Sequence, residues 1–383
     1  MFNIDDYLNT LPLDTKVINI SKRKLETLPE YIFTQFIYLE ELDCSSNKLI
    51  NLPELNINLL KLNCSFNKLT RLPNLNEKLI ELNCINNKLY RLPKLNNNLK
   101  KLKCGFNNLS HLLELNENLE ELECTFNDLY LLPELNNNLK ILDCSYTKLT
   151  ELPELNSKLI KLHCGHNNLV NLPQLNHILE ELYCENNNLT SLPELNNNLH
   201  SLCCWNNLLT KIPKININLK KLICNNNKLT SLPLLQNVEF LYCRNNLLTS
   251  LPNFTKKLKA LYCCNNKLVR LPYLNDNMEF ISYYNNPIFN IVPYDILLSN
   301  GVINYVISSS YYNFTEIQTK INKLNNCILI QYALKLKKKT IKWYIKSQKH
   351  KIEDKYSPEN LIKLIGNNDD IINEHTLEIL ENW

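Results

Sequence analysis

The chain has 383 residues, a formal net charge of +4, 15 cysteines and four glycines. So small a net charge gives the molecule no strong overall attraction to nucleic acid or an anionic membrane, and four glycines exclude a glycine-rich phosphate loop. The first ten residues lack the basic and apolar regions of a secretion signal, and no stretch approaches the roughly 18 apolar residues of a membrane span. We therefore expect a soluble, cytoplasmic protein.

Residues 1–19 precede a regular repeat and are predicted to form an N-terminal cap. The first repeat frame is longer than the others, because Ile20 and Cys44 are 24 residues apart. Within it, the segment from Pro29 to Phe33 is predicted to open a short helix on the outer side, since proline is favoured at the first position of a helix.

A twenty-residue repeat occupies residues 20–293 in about 13 copies. A chain of this length would otherwise be expected to form two or three globular domains, but the repeat predicts that most of it is one continuous array. Its frame is L-x-x-L-x-C-x-x-N-x-L-x-x-L-P-x-L-N-x-x. Leu stands two residues before each frame cysteine, and Asn stands three residues after eleven of the twelve, Thr147 being the exception. Twelve cysteines mark the register, twenty residues apart except for one step of nineteen: Cys44, Cys64, Cys84, Cys104, Cys124, Cys144, Cys164, Cys184, Cys204, Cys224, Cys243 and Cys263.

The Leu-x-Cys alternation predicts a short strand whose leucine and cysteine face the same side. One repeat cannot bury its own apolar face, so the copies must stack into a parallel sheet. Neighbouring thiols would point the same way, and paired C-x-x-C motifs are missing from the sequence, so core packing is favoured over disulfides or metal. An odd number of cysteines at one fixed spacing also favours a reducing compartment.

Two further positions of the frame predict the shape of each turn. The Asn column should lie at the corner after the strand, where its amides bond the backbone of adjacent turns. The Leu-Pro pair that follows, as in Leu52-Pro53, leaves too few residues for a helix before the next strand. The outer side should therefore be extended or polyproline-like.

The frame resembles the leucine-rich repeat, whose core L-x-x-L-x-L-x-x-N/C-x-L it matches across about residues 17 to 293 with Cys in the sixth place. The short Leu-Pro form is similar to repeats of leucine-rich effectors of Gram-negative pathogens and to Asn-rich repeat proteins of giant DNA viruses. The resemblance implies a leucine-rich-repeat solenoid with a curved parallel β-sheet, an extended convex side and a small α-helical C-terminal cap. For a viral protein, it implies the host cytoplasm.

Residues that alternate with the buried leucine and cysteine should form the concave face of the sheet, and two of their columns are informative. The first face column, directly before the strand leucine, alternates in charge and predicts ion pairs between neighbouring strands. It contains Glu41, Lys61, Glu81, Lys101, Glu121, Ile141, Lys161, Glu181, Ser201 and Lys221. The second face column, between leucine and cysteine, changes from polar to aromatic along the chain: Asp43, Asn63, Asn83, Lys103, Glu123, Asp143, His163, Tyr183, Cys203, Ile223, Tyr242 and Tyr262.

Trp205 and Arg244, each directly after a frame cysteine, join the aromatic half of this face. Aromatic residues and arginine are enriched among interface hot spots, so we predict partner binding by Tyr183, Trp205, Tyr242, Arg244 and Tyr262. The alternative is aromatic stacking that only stiffens the sheet. Two residues after the cysteine, a turn column carries rings that we expect to fold under the loop and stack: Phe66, Phe106, Phe126 and Tyr146.

Residues 294–383 are predicted to be a helical C-terminal region. Ser357, Pro358 and Gly366 bound one short helix, and residues 334–351 form a basic amphipathic helix with lysines around an apolar stripe. Such a helix binds phosphate backbones or anionic lipid, or else packs its stripe on the last repeat and leaves its lysines in water.

The function that these patterns favour is a non-catalytic, monomeric scaffold that presents its concave sheet to a protein partner. The alternative is an anionic-surface binder acting through the 334–351 helix. No cofactor, metal or catalytic residue is expected: His163 and His166 are interpreted as solvent-exposed, and Cys327 lacks the Cys-x-Asp arrangement of the ligase domain that such effectors often carry. Nucleic acid and anionic membranes are not the favoured partners.

Overall fold

The structure, a computed structural model, describes residues 2–272 and 278–287 and the backbone of residues 307–308. The described residues belong to the first of two units of the chain, Met1–Asn322. The predicted 334–351 helix, the short helix after Ser357 and Cys327 therefore lie outside the described residues.

Short strands that follow one another along the chain form one 15-stranded sheet in sequence order. Strands β1 to β14 run parallel, and β15 is antiparallel to β14. The strands are β1 (Val17–Asn19), β2 (Glu41–Asp43), β3 (Lys61–Asn63), β4 (Glu81–Asn83), β5 (Lys101–Lys103), β6 (Glu121–Glu123), β7 (Ile141–Asp143), β8 (Lys161–His163), β9 (Glu181–Tyr183), β10 (Ser201–Cys203), β11 (Lys221–Ile223), β12 (Phe240–Tyr242), β13 (Ala260–Tyr262), β14 (Phe280–Ser282) and β15 (Ile307–Ser308).

The strands stack in register because each turn repeats the same pattern of buried residues. Leu42 pairs with Leu62, and the middle residues of the following strands align in the same way, which places one apolar side chain per strand under the sheet. The result is a parallel β-solenoid of about 13 turns, as the repeat predicts. The first strand starts at Val17, inside the segment predicted as the N-terminal cap.

Leucine and cysteine ladders fill the core, as predicted. All twelve frame cysteines have 0% exposed surface, and all the cysteines that the structure describes are free thiols. The thiol of Cys84 lies 3.4 Å from the carbonyl oxygen of Lys103 on the next turn, to which it donates a weak hydrogen bond. Burial raises the pKa of Cys84 and of Cys224 to about 12, so these groups stay protonated.

The buried Asn column joins successive turns, which confirms the predicted role of these amides. The Nδ2 group of Asn87 donates to the carbonyl oxygens of Cys84 in its own turn and Cys64 in the preceding turn, both at 3.1 Å. Its Oδ1 accepts from the backbone N–H of Leu69, also in the preceding turn, at 2.9 Å. Each amide thus satisfies backbone groups that the corner would otherwise leave buried and unpaired.

The turn column adopts left-handed backbone conformations, with φ between 50° and 55° from Phe66 to Tyr146. Phe106, Phe126 and Tyr146 stack face to face with centroids 4.1 Å apart. The expectation that these rings fold under the loop is wrong, because they stay 40% to 53% exposed. Phe106, Phe126 and Tyr146 thus stack on one another while remaining open to solvent.

Helices are confined to the N-terminal part of the described chain: α1 (Ile4–Asn9) and α2 (Ile32–Gln35). The second begins within the predicted Pro29 to Phe33 segment. From residue 36 to residue 272 no helix occurs, so the outer side of these turns carries none. In the region predicted to be helical after residue 293, the two described residues form the strand β15 rather than a helix.

Candidate functional site

The solvent-facing side of the sheet, which we call the sheet face, carries ion pairs between neighbouring strands within its first nine strands. In the first face column, the Lys61 ammonium lies 2.7 Å from the Glu41 carboxylate, and the Lys161 ammonium lies 2.9 Å from Glu181. The predicted ion pairs therefore form. They stabilise the stack of strands.

Three of the five predicted site residues come together on β12 and β13. The rings of Tyr242 and Tyr262 stack with centroids 4.7 Å apart and planes 6° from parallel. The Arg244 guanidinium lies 4.5 Å from the centroid of the Tyr262 ring, a cation–π geometry. The backbone N–H of Arg244 donates to Asn225 Oδ1 at 2.7 Å, which holds this residue in place. We call Tyr242, Arg244 and Tyr262 the aromatic cluster.

The other two predicted residues lie apart from this cluster. Tyr183 stacks on His163 at 4.4 Å, and Cys203 and Ile223 occupy the two strands between Tyr183 and Tyr242. Trp205 meets the ring of His166 edge-on at 6.0 Å, near the strand end. Three of the five predicted residues therefore form one cluster, and Tyr183 and Trp205 each have a different partner outside it.

Apolar residues of the first face column extend the aromatic cluster, and the sequence reasoning missed them. Phe240, Ala260 and Phe280 are in register on β12, β13 and β14, and they replace the charges of the earlier strands. Ala260 is only 3% exposed because its larger neighbours flank it. The signal was present in the sequence: the column continues as Phe-Ala-Phe once the single nineteen-residue step is allowed for.

His163 is not the solvent-exposed histidine that we expected. Its side chain is 25% exposed and lies between two carboxylates, with Nδ1 3.7 Å from Asp143 and Nε2 3.4 Å from Glu181. Burial alone would lower its pKa, but hydrogen bonds and charge attraction from Asp143 and Glu181 outweigh burial and raise it.

His166 also has specific contacts. It stacks on Tyr146 at 3.8 Å, and its Nε2 lies 2.9 Å from the Asn186 amide. It thus ends the aromatic stack of the turn column and begins a ladder of asparagine amides, in which Asn285 donates to Asn265 at 2.7 Å. Both histidines are structural parts of the sheet and its edge.

Two kinds of site are not found among the residues that the structure describes. No group of three or more histidine, cysteine or acidic residues has the proximity needed to hold a metal ion. In that same part of the chain, no helix is long and apolar enough to cross a bilayer.

Several solved structures resemble this chain. YopM, a leucine-rich effector protein from Yersinia pestis, is 30% identical over 72% of this chain and 79% of that chain, with a TM-score of 0.66. The LRR protein LIC12759 of Leptospira interrogans is 30% identical over 63% of this chain and 76% of that chain, with a TM-score of 0.52. The functional domain of InlJ from Listeria monocytogenes, which includes a cysteine ladder, is 28% identical over 66% and 64%, with a TM-score of 0.52. No family model and no curated protein matches the chain.

Proposed function

The chain belongs to the leucine-rich-repeat family, and from that premise we propose that it is a non-catalytic scaffold that binds a protein partner through its sheet face. The bacterial neighbours include a leucine-rich effector, which supports both the predicted effector resemblance and a role in binding. The resemblance to repeat proteins of giant DNA viruses remains a prediction.

The aromatic cluster is the observation that carries the proposal. Tyr242 and Tyr262 present stacked, half-buried rings, Arg244 covers one of them, and Phe240 and Ile223 lie in the flanking positions. Pre-stacked aromatic rings lose little conformational entropy on binding, and tyrosine and arginine are enriched in hot spots. The cluster contrasts with the paired charges of the first nine strands, where binding would first have to break ion pairs.

The chemistry of the described residues supports a non-catalytic role. The core thiols are buried and held protonated by raised pKa values, so none is a ready nucleophile. Both ring nitrogens of His163 face carboxylates on the sheet face, Nδ1 that of Asp143 and Nε2 that of Glu181. The proposal includes a cytoplasmic location, where reductants keep buried cysteines as free thiols, and it requires no cofactor.

A paired set of variants tests the binding surface. The first replaces Tyr242, Arg244 and Tyr262 with alanine, and the control replaces the exposed outer residues Tyr90 and Tyr130 with alanine. Each protein, its fold checked by circular dichroism, is used to capture proteins from a cytosolic lysate at moderate salt, with identification by mass spectrometry. We expect one partner to bind the wild type and the control but not the cluster variant.

Two results would count against this surface. Equal capture of the partner by the cluster variant and the wild type would place binding elsewhere on the chain. Capture that disappears as salt rises would indicate a mainly electrostatic contact, since an aromatic interface changes little with ionic strength. In either case, the aromatic cluster would be a stiffening element of the sheet.

A further inference from the structure

A cavity on the outer side of the N-terminal turns has a composition that the scaffold role does not explain. It has a volume of about 540 Å³, within the usual range of small-molecule sites. Its lining includes Arg71, Arg91 and His111, with Asn51 and Asn74 beside them. We call it the arginine cavity.

Arg71 and Arg91 occupy the same place in successive turns, seven residues after Cys64 and Cys84. The two turns are in direct contact just before the arginines, because the backbone N–H of Lys88 donates to the Leu69 carbonyl at 2.9 Å. The two side chains therefore leave the backbone at equivalent points of neighbouring turns.

The backbone that carries these arginines is held rigidly. Leu69 and Leu89, two residues before each arginine, are fully buried, and the next residues, Leu72 and Leu92, are also buried. Prolines follow directly at 73 and 93, where they restrict the chain further. The arginine side chains therefore start from fixed points of the backbone.

Neither arginine of this pair forms an ion pair in the described part of the chain, although Glu54 also lines the cavity. The Arg91 guanidinium lies over the ring of Tyr90, 5.6 Å from its centroid. On the sheet face, by contrast, neighbouring turns alternate in sign and pair, as Lys61 does with Glu41. Two adjacent positive charges repel each other unless an anion lies between them.

We propose that the arginine cavity binds a phosphoryl oxyanion between the guanidinium groups of Arg71 and Arg91. A guanidinium presents two parallel N–H donors that match two oxygens of one phosphoryl group, and two such forks satisfy a doubly charged tetrahedral anion from two sides. Asn51 and Asn74 offer amide donors for the rest of the ligand. The site is on the outer side of the turns and does not depend on the aromatic cluster.

Phosphate titration of the full chain by calorimetry tests the site, at about 0.1 M ionic strength so that exposed charges are partly screened. The test variant is Arg71→Gln/Arg91→Gln. The control is Arg270→Gln, because Arg270 has the same place in its own turn, seven residues after Cys263, but Ser250 precedes it in the column. We expect the double variant to bind phosphate about 100-fold more weakly, a factor of about ten for each arginine, and the control to bind as the wild type does.

Two outcomes would overturn the proposal: no saturable phosphate binding by the wild type at millimolar concentration, or equal weakening by Arg270→Gln, which would indicate a general charge effect. If the glutamine variant fails to fold, Arg71→Lys/Arg91→Lys keeps both charges but removes the forks. We expect about tenfold weaker binding there, and unchanged affinity would refute the two-fork arrangement.

The source of the phosphoryl group is distinguished with vesicles of phosphatidylcholine, with and without phosphatidic acid. Sedimentation of the wild type with phosphatidic acid vesicles alone, lost in the double variant, would assign the oxyanion to a lipid headgroup. Phosphate binding without any sedimentation would assign it to a soluble phosphate compound. Each result supports the site and names the class of ligand.

Discussion

Thr147→Asn restores the missing member of the buried Asn column, and we expect it to stabilise the array. The Thr147 hydroxyl has one proton for two acceptors, the Cys144 carbonyl in its own turn at 3.0 Å and Asn167 Oδ1 in the next turn at 2.6 Å, and it makes no hydrogen bond to the preceding turn. In the neighbouring turn, Asn127 donates to Cys104 and accepts from the backbone N–H of Leu109, both at 3.0 Å. Threonine is too short to make both bonds.

The size of the effect follows from the backbone groups left unpaired. Leu129 is fully buried, and its N–H lacks the side-chain acceptor that the equivalent leucines have. An unsatisfied buried N–H costs about 1–3 kcal/mol, and the bond between Thr147 and Asn167 Oδ1, 2.6 Å long, would be lost in exchange. A net gain of about 1–2 kcal/mol remains.

Hydrogen exchange of the Leu129 amide, followed by NMR in protein labelled with ¹⁵N-leucine, measures this gain locally. Each 1.4 kcal/mol corresponds to about a tenfold change, so exchange by local opening should slow by about tenfold. The control is Thr150→Asn, at an exposed position of the same turn, which should leave the rate unchanged. An unaltered or faster Leu129 rate in Thr147→Asn, in a protein that keeps its circular dichroism spectrum, would refute the reasoning.

Three other measurements follow from the same contacts. Since burial raises the pKa of Cys84 and Cys224 from 9.0 to about 12, their contribution to stability is complete below pH 9 and lost as pH rises towards 12. We expect alkaline unfolding in that window and little labelling of native thiols by a thiol reagent at about pH 8; complete labelling of the folded protein would contradict this. The raised pKa of His163 means that its protonation stabilises the fold below pH 6.5, and this stabilisation is lost as pH rises through the pKa of the folded state. Asp143→Asn should lower the His163 pKa measured by NMR titration. An unchanged pKa would mean that Asp143 is not the partner of His163. Phe126→Ala removes a ring that stacks on two neighbours and should lower the free energy of unfolding in urea by about 1–3 kcal/mol, from two ring pairs of about 0.5–1.5 kcal/mol each. Unchanged stability would show that the stacked rings do not stabilise the fold.

The repeat pattern was sufficient to predict most of the fold. In a solenoid every turn contacts only its neighbours, so a position with the same spacing from Cys64 and from Cys84 has the same surroundings. The buried cysteines, the inter-turn amides such as Asn87 and the pairing of Lys61 with Glu41 follow from that rule, and the structure contains all three.

The candidate sites depended on contacts that spacing alone does not specify. The sequence already places Cys203 and Ile223 between Tyr183 and Tyr242, but it does not show that Tyr183 stacks on His163. Side-chain direction decided that contact, because each ring can lean towards either neighbour.

Sequence by itself therefore determined the register, the core and the in-register sheet, since these depend on a period that every turn repeats. Only the tertiary structure showed that His163 lies between two carboxylates. It also showed that Arg71 and Arg91 line one cavity. The physical reason is that these residues occupy positions whose identity varies from turn to turn, and there the conformation of individual side chains, rather than the period, sets the contacts.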